Sequence, residues 1–137
     1  MVRAIKFRAK TDNGDWKYGD LHLLSTVPHI HTDINISHRC PIDTKTIGQF
    51  TGLKDKNDKE VYDGDIISLP LSDGSCVTHQ IRISEEYLSV EIKNLTVDGM
   101  RCDFDIFGQL KYSWWQEYKY DIEVIGNIYD NPELIDE

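Results

Sequence analysis

The sequence predicts a mainly β domain, a sandwich or barrel, on three observations. Apolar and polar residues alternate with period two in several separate segments, the spacing that turns one face of a strand to a core. Those segments are punctuated by Asn-Gly and Asp-Gly pairs, which supply the positive φ of tight hairpins, at roughly 8–12-residue intervals. One stretch, residues 109–120, carries helical spacing instead.

Taken in order, Ile5, Phe7 and Ala9 fall on one side of a first strand and Lys6 and Arg8 on the other. Asn13-Gly14 turns the chain into a return strand with Trp16 and Tyr18, and Gly19-Asp20 breaks it before Leu21, Leu23 and Leu24. Residues 27–37 read either as an edge ribbon, with Ile30, Ile34 and Ile36 on one face and Pro28 at its start, or as a long loop. Cys40-Pro41 is expected at a bend, because the residue before proline is held extended.

Residues 46–51 read as a strand, 54–60 as its charged turn, and 61–69 as the next strand, interrupted at Asp63-Gly64 where glycine supplies positive φ. Asp73-Gly74 closes a hairpin onto Val77, His79, Ile81 and Ile83, which alternate against Thr78, Gln80 and Arg82. Leu88, Val90 and Ile92 alternate again. Asp98-Gly99 turns, and Cys102, Phe104 and Ile106 follow. Leu110, Trp114 and Tyr118 lie at i, i+4 and i+8, one face of a short helix with Ser113 as its cap. Ile122, Val124, Gly126 and Ile128 make the last strand, which Asn131-Pro132 stops ahead of an acidic tail.

Length and composition bound the function. At 137 residues the chain is sized for one compact domain with an adequate core, so neither disulfide nor structural metal is needed. Net charge is −9, which repels a polyanion at long range and makes nucleic acid an unfavoured partner. The basic cluster Arg3, Lys6, Arg8 and Lys10 is the exception, and it carries the alternative function of nucleic-acid association through the N-terminal strand. No apolar run approaches the roughly 20 residues of a membrane-spanning helix, and no leader pattern precedes the first strand. The three widely spaced cysteines, Cys40, Cys76 and Cys102, are expected as reduced thiols in a cytoplasmic protein.

Four chemistries fail on the residues. His22, His29, His31, His38 and Cys40 match no common zinc spacing, and a polar edge explains them. A calcium loop starting at Asp55 would put the cation Lys59 at position 5, Glu60 at the glycine position and Ile66 at the glutamate position. Asp63 and Asp65 have no neighbour to push their pKa values apart, as acid–base work requires, and turn carboxylates usually accept backbone N–H groups. Gly48, Gly52 and Gly64 lack phosphate-loop spacing. No catalytic residue, cofactor or metal is expected.

The aromatic cluster Tyr112, Trp114, Trp115, Tyr118 and Tyr120 is the best candidate for recognition. Adjacent tryptophans on one element do not both point inward, so one is expected on the surface or at a subunit contact. The competing reading is that both are packing residues. Trp114, Trp115, Tyr118 and Trp16 are the expected protein contacts, with the charged turn at 54–60 offering complementarity.

Three segments together carry a resemblance: GQFTGLKDKNDKEVYDGDII from position 48, EVIGNIYDNPEL from position 123, and IKFRA from position 5. Their sequence and order resemble the YopX family, proteins largely encoded by bacteriophages and prophages. The resemblance implies an SH3-like barrel or roll with an N-terminal strand region packed on it. Within a single domain that places the strand region at 1–45, the barrel at 46–130 and the tail at 131–137. It implies no enzyme activity or cofactor. It marks Phe50, Thr51, Gly52, Leu53, Asp55, Gly64, Asp65, Gly126, Asn127 and Pro132 as a signature, expected to be structural. The expected function is a non-enzymatic accessory protein in the cytoplasm of a bacterial host. It is expected to bind a host or phage protein or to self-assemble.

Overall fold

The computed structural model describes residues 5–22, 29–31, 39–84, 89–97, 100–101 and 107–135. Within them the protein is mainly β, with two antiparallel sheets and one short α-helix near the C-terminus. The chain divides into two compact units, residues 1–50 and 51–137, and the division falls inside strand β5.

Unit 1 is a meander. β1 (Phe7–Lys10), β2 (Trp16–His22), β3 (His29–His31) and β4 (Arg39–Pro41) pair in sequence, and β5 (Gly48–Lys54) adds to the outer side of β1 through Gly48 and Gln49. The β1–β2 hairpin turns at Gly14, with φ of 86°, as its Asn-Gly pair predicts. Ala9, Ile30 and Ile42 form the core, with Phe7, Leu21 and Ile47 packed on it. A 3-10 turn, Thr44–Thr46, leads into β5. There the Thr46 hydroxyl accepts the Lys10 N–H at 2.8 Å and donates to the Asp43 carbonyl at 2.7 Å.

Two expectations change in unit 1. Ile5 is 72% exposed and precedes the strand, while Arg8, placed on the polar face, is 4% exposed. The guanidinium lies 4.6 Å from the Trp16 ring centroid, and Lys10 stands 5.6 Å from the same ring. A cation on an aromatic face can be covered where a bare one cannot, so β1 is enclosed on both sides at this point. Cys40-Pro41 is the end of a strand rather than a bend. The extended backbone that proline imposes on its predecessor serves either role.

Unit 2 begins with the rest of β5, paired to β6 (Glu60–Tyr62). Its main sheet runs β10-β9-β8-β7-β12, from β7 (Asp65–Pro70), β8 (Cys76–Ile83), β9 (Val90–Val97), β10 (Met100–Arg101) and β12 (Glu123–Asn127). β11 (Gly108–Gln109) also pairs with β9, at Glu91 and Ile92. Val77, His79 and Ile81 are buried at alternate positions of β8, as their spacing predicts. Two bulges interrupt the ladders. Leu95 is the extra residue of β9 opposite Thr78 and His79, and Ile125 is the extra residue of β12 opposite Ile66 and Ile67. The core is Val61, Ile67, Leu69, Ile81, Trp115 and Ile122.

The helix α1 (Tyr112–Tyr118) begins one residue earlier than its expected cap. Lys111 is the N-cap, with no side-chain hydrogen bond, and Ser113 lies inside the first turn. Leu110, Trp114 and Tyr118 all pack against the core cluster, the face their spacing predicts. Leu23, Leu24, Pro28, Ile34, Ile36, His38, Leu88, the Asp98-Gly99 turn and Cys102, Phe104 and Ile106 lie outside the described residues. So do the side chains of His22, His29, His31 and Cys40. Cys76 is exposed as a free thiol. Among the described residues no helix is long and apolar enough to cross a membrane.

Candidate functional site

The stretch from Gly48 is held by its own polar side chains. Thr51 gives its hydroxyl proton to the Val61 carbonyl at 2.7 Å, tying β5 to β6. Asp55, 3% exposed, accepts three backbone N–H groups. Oδ1 takes those of Asn57 and Lys59, each at 2.9 Å, and Oδ2 takes that of Val124 at 3.0 Å. One carboxylate therefore shapes the charged turn and ties it to the last strand. Asp65 Oδ2 accepts the Tyr62 N–H at 2.7 Å, and Asp63 Oδ1 accepts that of Ile83 at 3.0 Å. These are turn carboxylates on backbone donors, the arrangement such residues take most often.

Gly64 has φ of 95°, and a Cβ there would stand 3.3 Å from the Tyr129 ring. Its N–H donates to Ile81 and its carbonyl accepts from Ile128, both at 2.9 Å. The second signature segment closes on itself in the same manner. Asn127 Oδ1 accepts the N–H groups of Tyr129 and Asp130, and Asn131 Oδ1 accepts that of Asn127 at 3.1 Å. A Cβ at Gly126 would overlap the Asn131 carboxamide, with Cγ 2.7 Å away. Pro132 opens a 3-10 turn, Pro132–Leu134.

Beside this frame lies a groove of about 250 Å³ between residues 52–54 and α1. Its floor is Trp115, 2% exposed, whose indole N–H donates to the Lys54 carbonyl at 3.0 Å. Its walls are Leu53 and Gln116 with Tyr112, which is 44% exposed, and Tyr120, which is 76% exposed. Lys54 and Lys119 complete the lining with Gly52, and the Lys119 ammonium stands 5.3 Å from the Tyr120 ring centroid. Gly52 has φ of 87° and is exposed. Among the described residues the lining carries two cations and no carboxylate.

The structure distributes the expected contact residues unevenly. Trp115 is core, so it supports the groove from beneath. Trp114 is half-buried against the core cluster, with Tyr118 at 5.4 Å and the His79 ring edge-on at 5.9 Å. Both tryptophans face apolar neighbours, because α1 lies in a corner with β5 under one side and the sheet under the other. Trp16 belongs to unit 1, beneath Arg8 and Lys10. Tyr18, also in unit 1, is exposed. Of the aromatics in and just after α1, Tyr112 and Tyr120 are the exposed ones. Their signal was present in the spacing: with Leu110, Trp114 and Tyr118 inward, positions 112, 116, 119 and 120 form the outer stripe.

Among the described residues no group of three or more His, Cys, Asp or Glu side chains is placed to hold a metal ion. A family model described as YopX protein matches residues 6–136. Among solved structures, the crystal structure of protein EF1440 from Enterococcus faecalis is similar in fold. It is 24% identical, with a TM-score of 0.57, over 98% of this chain and 100% of that one. No curated protein matches the sequence.

Proposed function

The chain belongs to the YopX family, and on that premise we propose that it is a non-enzymatic accessory protein of phage or prophage origin that binds another protein in the cytoplasm of a bacterial host. The observation that carries this reading is the groove between residues 52–54 and α1. Exposed tyrosines around a buried tryptophan floor offer large, stiff contact area with polar tips, the composition enriched where proteins meet. The occupant is an extended acidic segment of a partner protein, lying against the Tyr112 and Tyr120 rings with its carboxylates meeting Lys54 and Lys119. Two cations with no carboxylate among the described lining residues, in a chain of net charge −9, make this patch locally complementary to acidic sequence. We read unit 2 as the SH3-like part of the family architecture, supported by its antiparallel path and the helix ahead of its last strand.

The nucleic-acid alternative loses ground in unit 1. Arg8 is buried on Trp16, and Lys10 shares the same ring, so the basic strand has fewer cations to offer phosphate than its sequence suggests.

The test is affinity capture from infected or lysogenic cells with the wild-type chain and with Tyr112→Ala/Tyr120→Ala, followed by titration of the captured protein. The expected result is a partner retained by wild type and lost from the variant at unchanged Tm. Light scattering on both forms reads self-assembly by the same groove. Identical partners and identical mass for the two chains would sink the reading.

A further inference from the structure

β12 ends the main sheet of unit 2. β7 lies on one side of it, and among the described residues no strand pairs with the other. An edge strand presents backbone N–H and C=O groups on which another chain can add a strand. In an antiparallel ladder these groups point alternately toward the partner strand and away from it. Across the bulge at Ile125, the outward residues of β12 are Val124 and Asn127, whose N–H groups both point away from β7.

Both residues are already held by this chain. Asp55 Oδ2 accepts the Val124 N–H at 3.0 Å, and the next residue, Lys56, donates its N–H to the Ile122 carbonyl at 2.9 Å. Asn131 takes both backbone groups of Asn127. Its Oδ1 accepts the N–H at 3.1 Å, and its own N–H donates to the carbonyl at 2.9 Å. Its carboxamide lies so close to the strand that a Cβ at Gly126 has no room. Between the two clamps stands Ile125, 39% exposed on the bulge, and a bulge twists an edge away from a flat partner. Asp55 and Asn131 come from the two long segments that carry the family resemblance.

The strand that matches this edge is β12 of a second copy. Run antiparallel about a two-fold axis, it sets Val124 of one copy opposite Asn127 of the other, and each outward N–H meets an outward carbonyl. Glu123, the one charged residue of β12, then faces Ile128, so like charges do not meet within the strand, and Ile125 lies beside the axis in both copies. We propose that Asp55 and Asn131 close β12 against a second copy of this chain, and that the edge self-associates when their hold is broken. The proposal is independent of the tyrosine groove.

Light scattering on the full chain over a concentration series tests it. Asp55→Asn keeps one oxygen for the turn N–H groups of Asn57 and Lys59 and removes the acceptor from Val124. Asn131→Ala removes the acceptor from Asn127. Each is expected to strengthen self-association roughly tenfold over wild type, the worth of one or two backbone hydrogen bonds per copy, and the double variant more than either. Adding Ile125→Lys, a charge at an exposed edge position, should return the mass to the wild-type value. The Trp115 indole N–H resonance reports that each variant is folded. Folded variants with wild-type mass overturn the proposal. So does association that Ile125→Lys leaves intact, or association of the wild type that Ile125→Lys dissolves. Should the variants fail to fold, hydrogen exchange on the wild type decides: the Val124 and Asn127 amides should be protected, and exchange at the rate of an unprotected amide overturns the closure.

Discussion

Trp115 gives its indole N–H to the carbonyl of Lys54, 3.0 Å away and 61 positions earlier in the chain. A side chain that looks like a surface anchor in the sequence is thus the pin between α1 and the end of β5. Trp115→Phe should lose about 1–3 kcal/mol, because the ring is kept and the carbonyl loses its donor. Trp115→Ala should lose about 3–5 kcal/mol from the cavity it leaves. Urea denaturation reads both, and an alanine variant as stable as wild type would remove Trp115 from the core.

Asp55 joins a turn to a distant strand through a single carboxylate. Asp55→Ala strips the acceptor from Asn57, Lys59 and Val124 together, and should cost about 3 kcal/mol. Asp55→Asn keeps one oxygen acceptor, so its loss should be smaller. Amide hydrogen exchange locates the effect: both the turn and Val124 should exchange faster.

Gly126 is required by its neighbour rather than by its own backbone. Gly126→Ala drives a methyl into the Asn131 carboxamide and should cost about 1–3 kcal/mol. Asn131→Ala alone frees the Asn127 N–H. The double variant should be more stable than the sum of the two losses implies, since the second change removes the clash. Strict additivity in thermal unfolding would contradict this.

His79 makes stability depend on pH in a defined window. Its pKa falls on folding, by burial first, so the unfolded chain binds a proton that the folded chain resists. Its contribution is fully present above the unfolded value of about 6.5 and is lost as pH falls from there through the lower folded value. Chemical denaturation at steps from pH 7.5 to 5 should show that decline. His79→Phe should flatten this component of it.

The framework was legible because its signals are local. Gly14, Gly64 and Gly74 all adopt positive φ at the Asn-Gly and Asp-Gly pairs that announce them, and β8 buries alternate residues. Leu110, Trp114 and Tyr118 share the face their spacing assigns. What failed depended on neighbours distant in sequence. Arg8 reads as an exposed cation until Trp16 covers it, and Trp115 reads as a contact until Lys54 arrives beneath it. The bulges at Leu95 and Ile125 leave no mark in an alternation pattern, because the partner strand decides which residue is extra. Tyr112 and Tyr120 were within reach of helical spacing, but identifying the groove needed β5 beside them.

The pairing of β7 with β12 also has a consequence for biosynthesis. Asp65 meets Asn127 only after about sixty further residues have been made, a delay of roughly 3–12 s at typical elongation rates. β8 and β9 follow β7 directly and can pair while the ribosome is still working, which leaves β7 with one bare edge until the C-terminal signature emerges. A chain interrupted ahead of Glu123 therefore carries an open apolar strand looking for a partner. Nascent chains arrested there should associate with one another or with holding chaperones, and release to Asn127 should end that exposure.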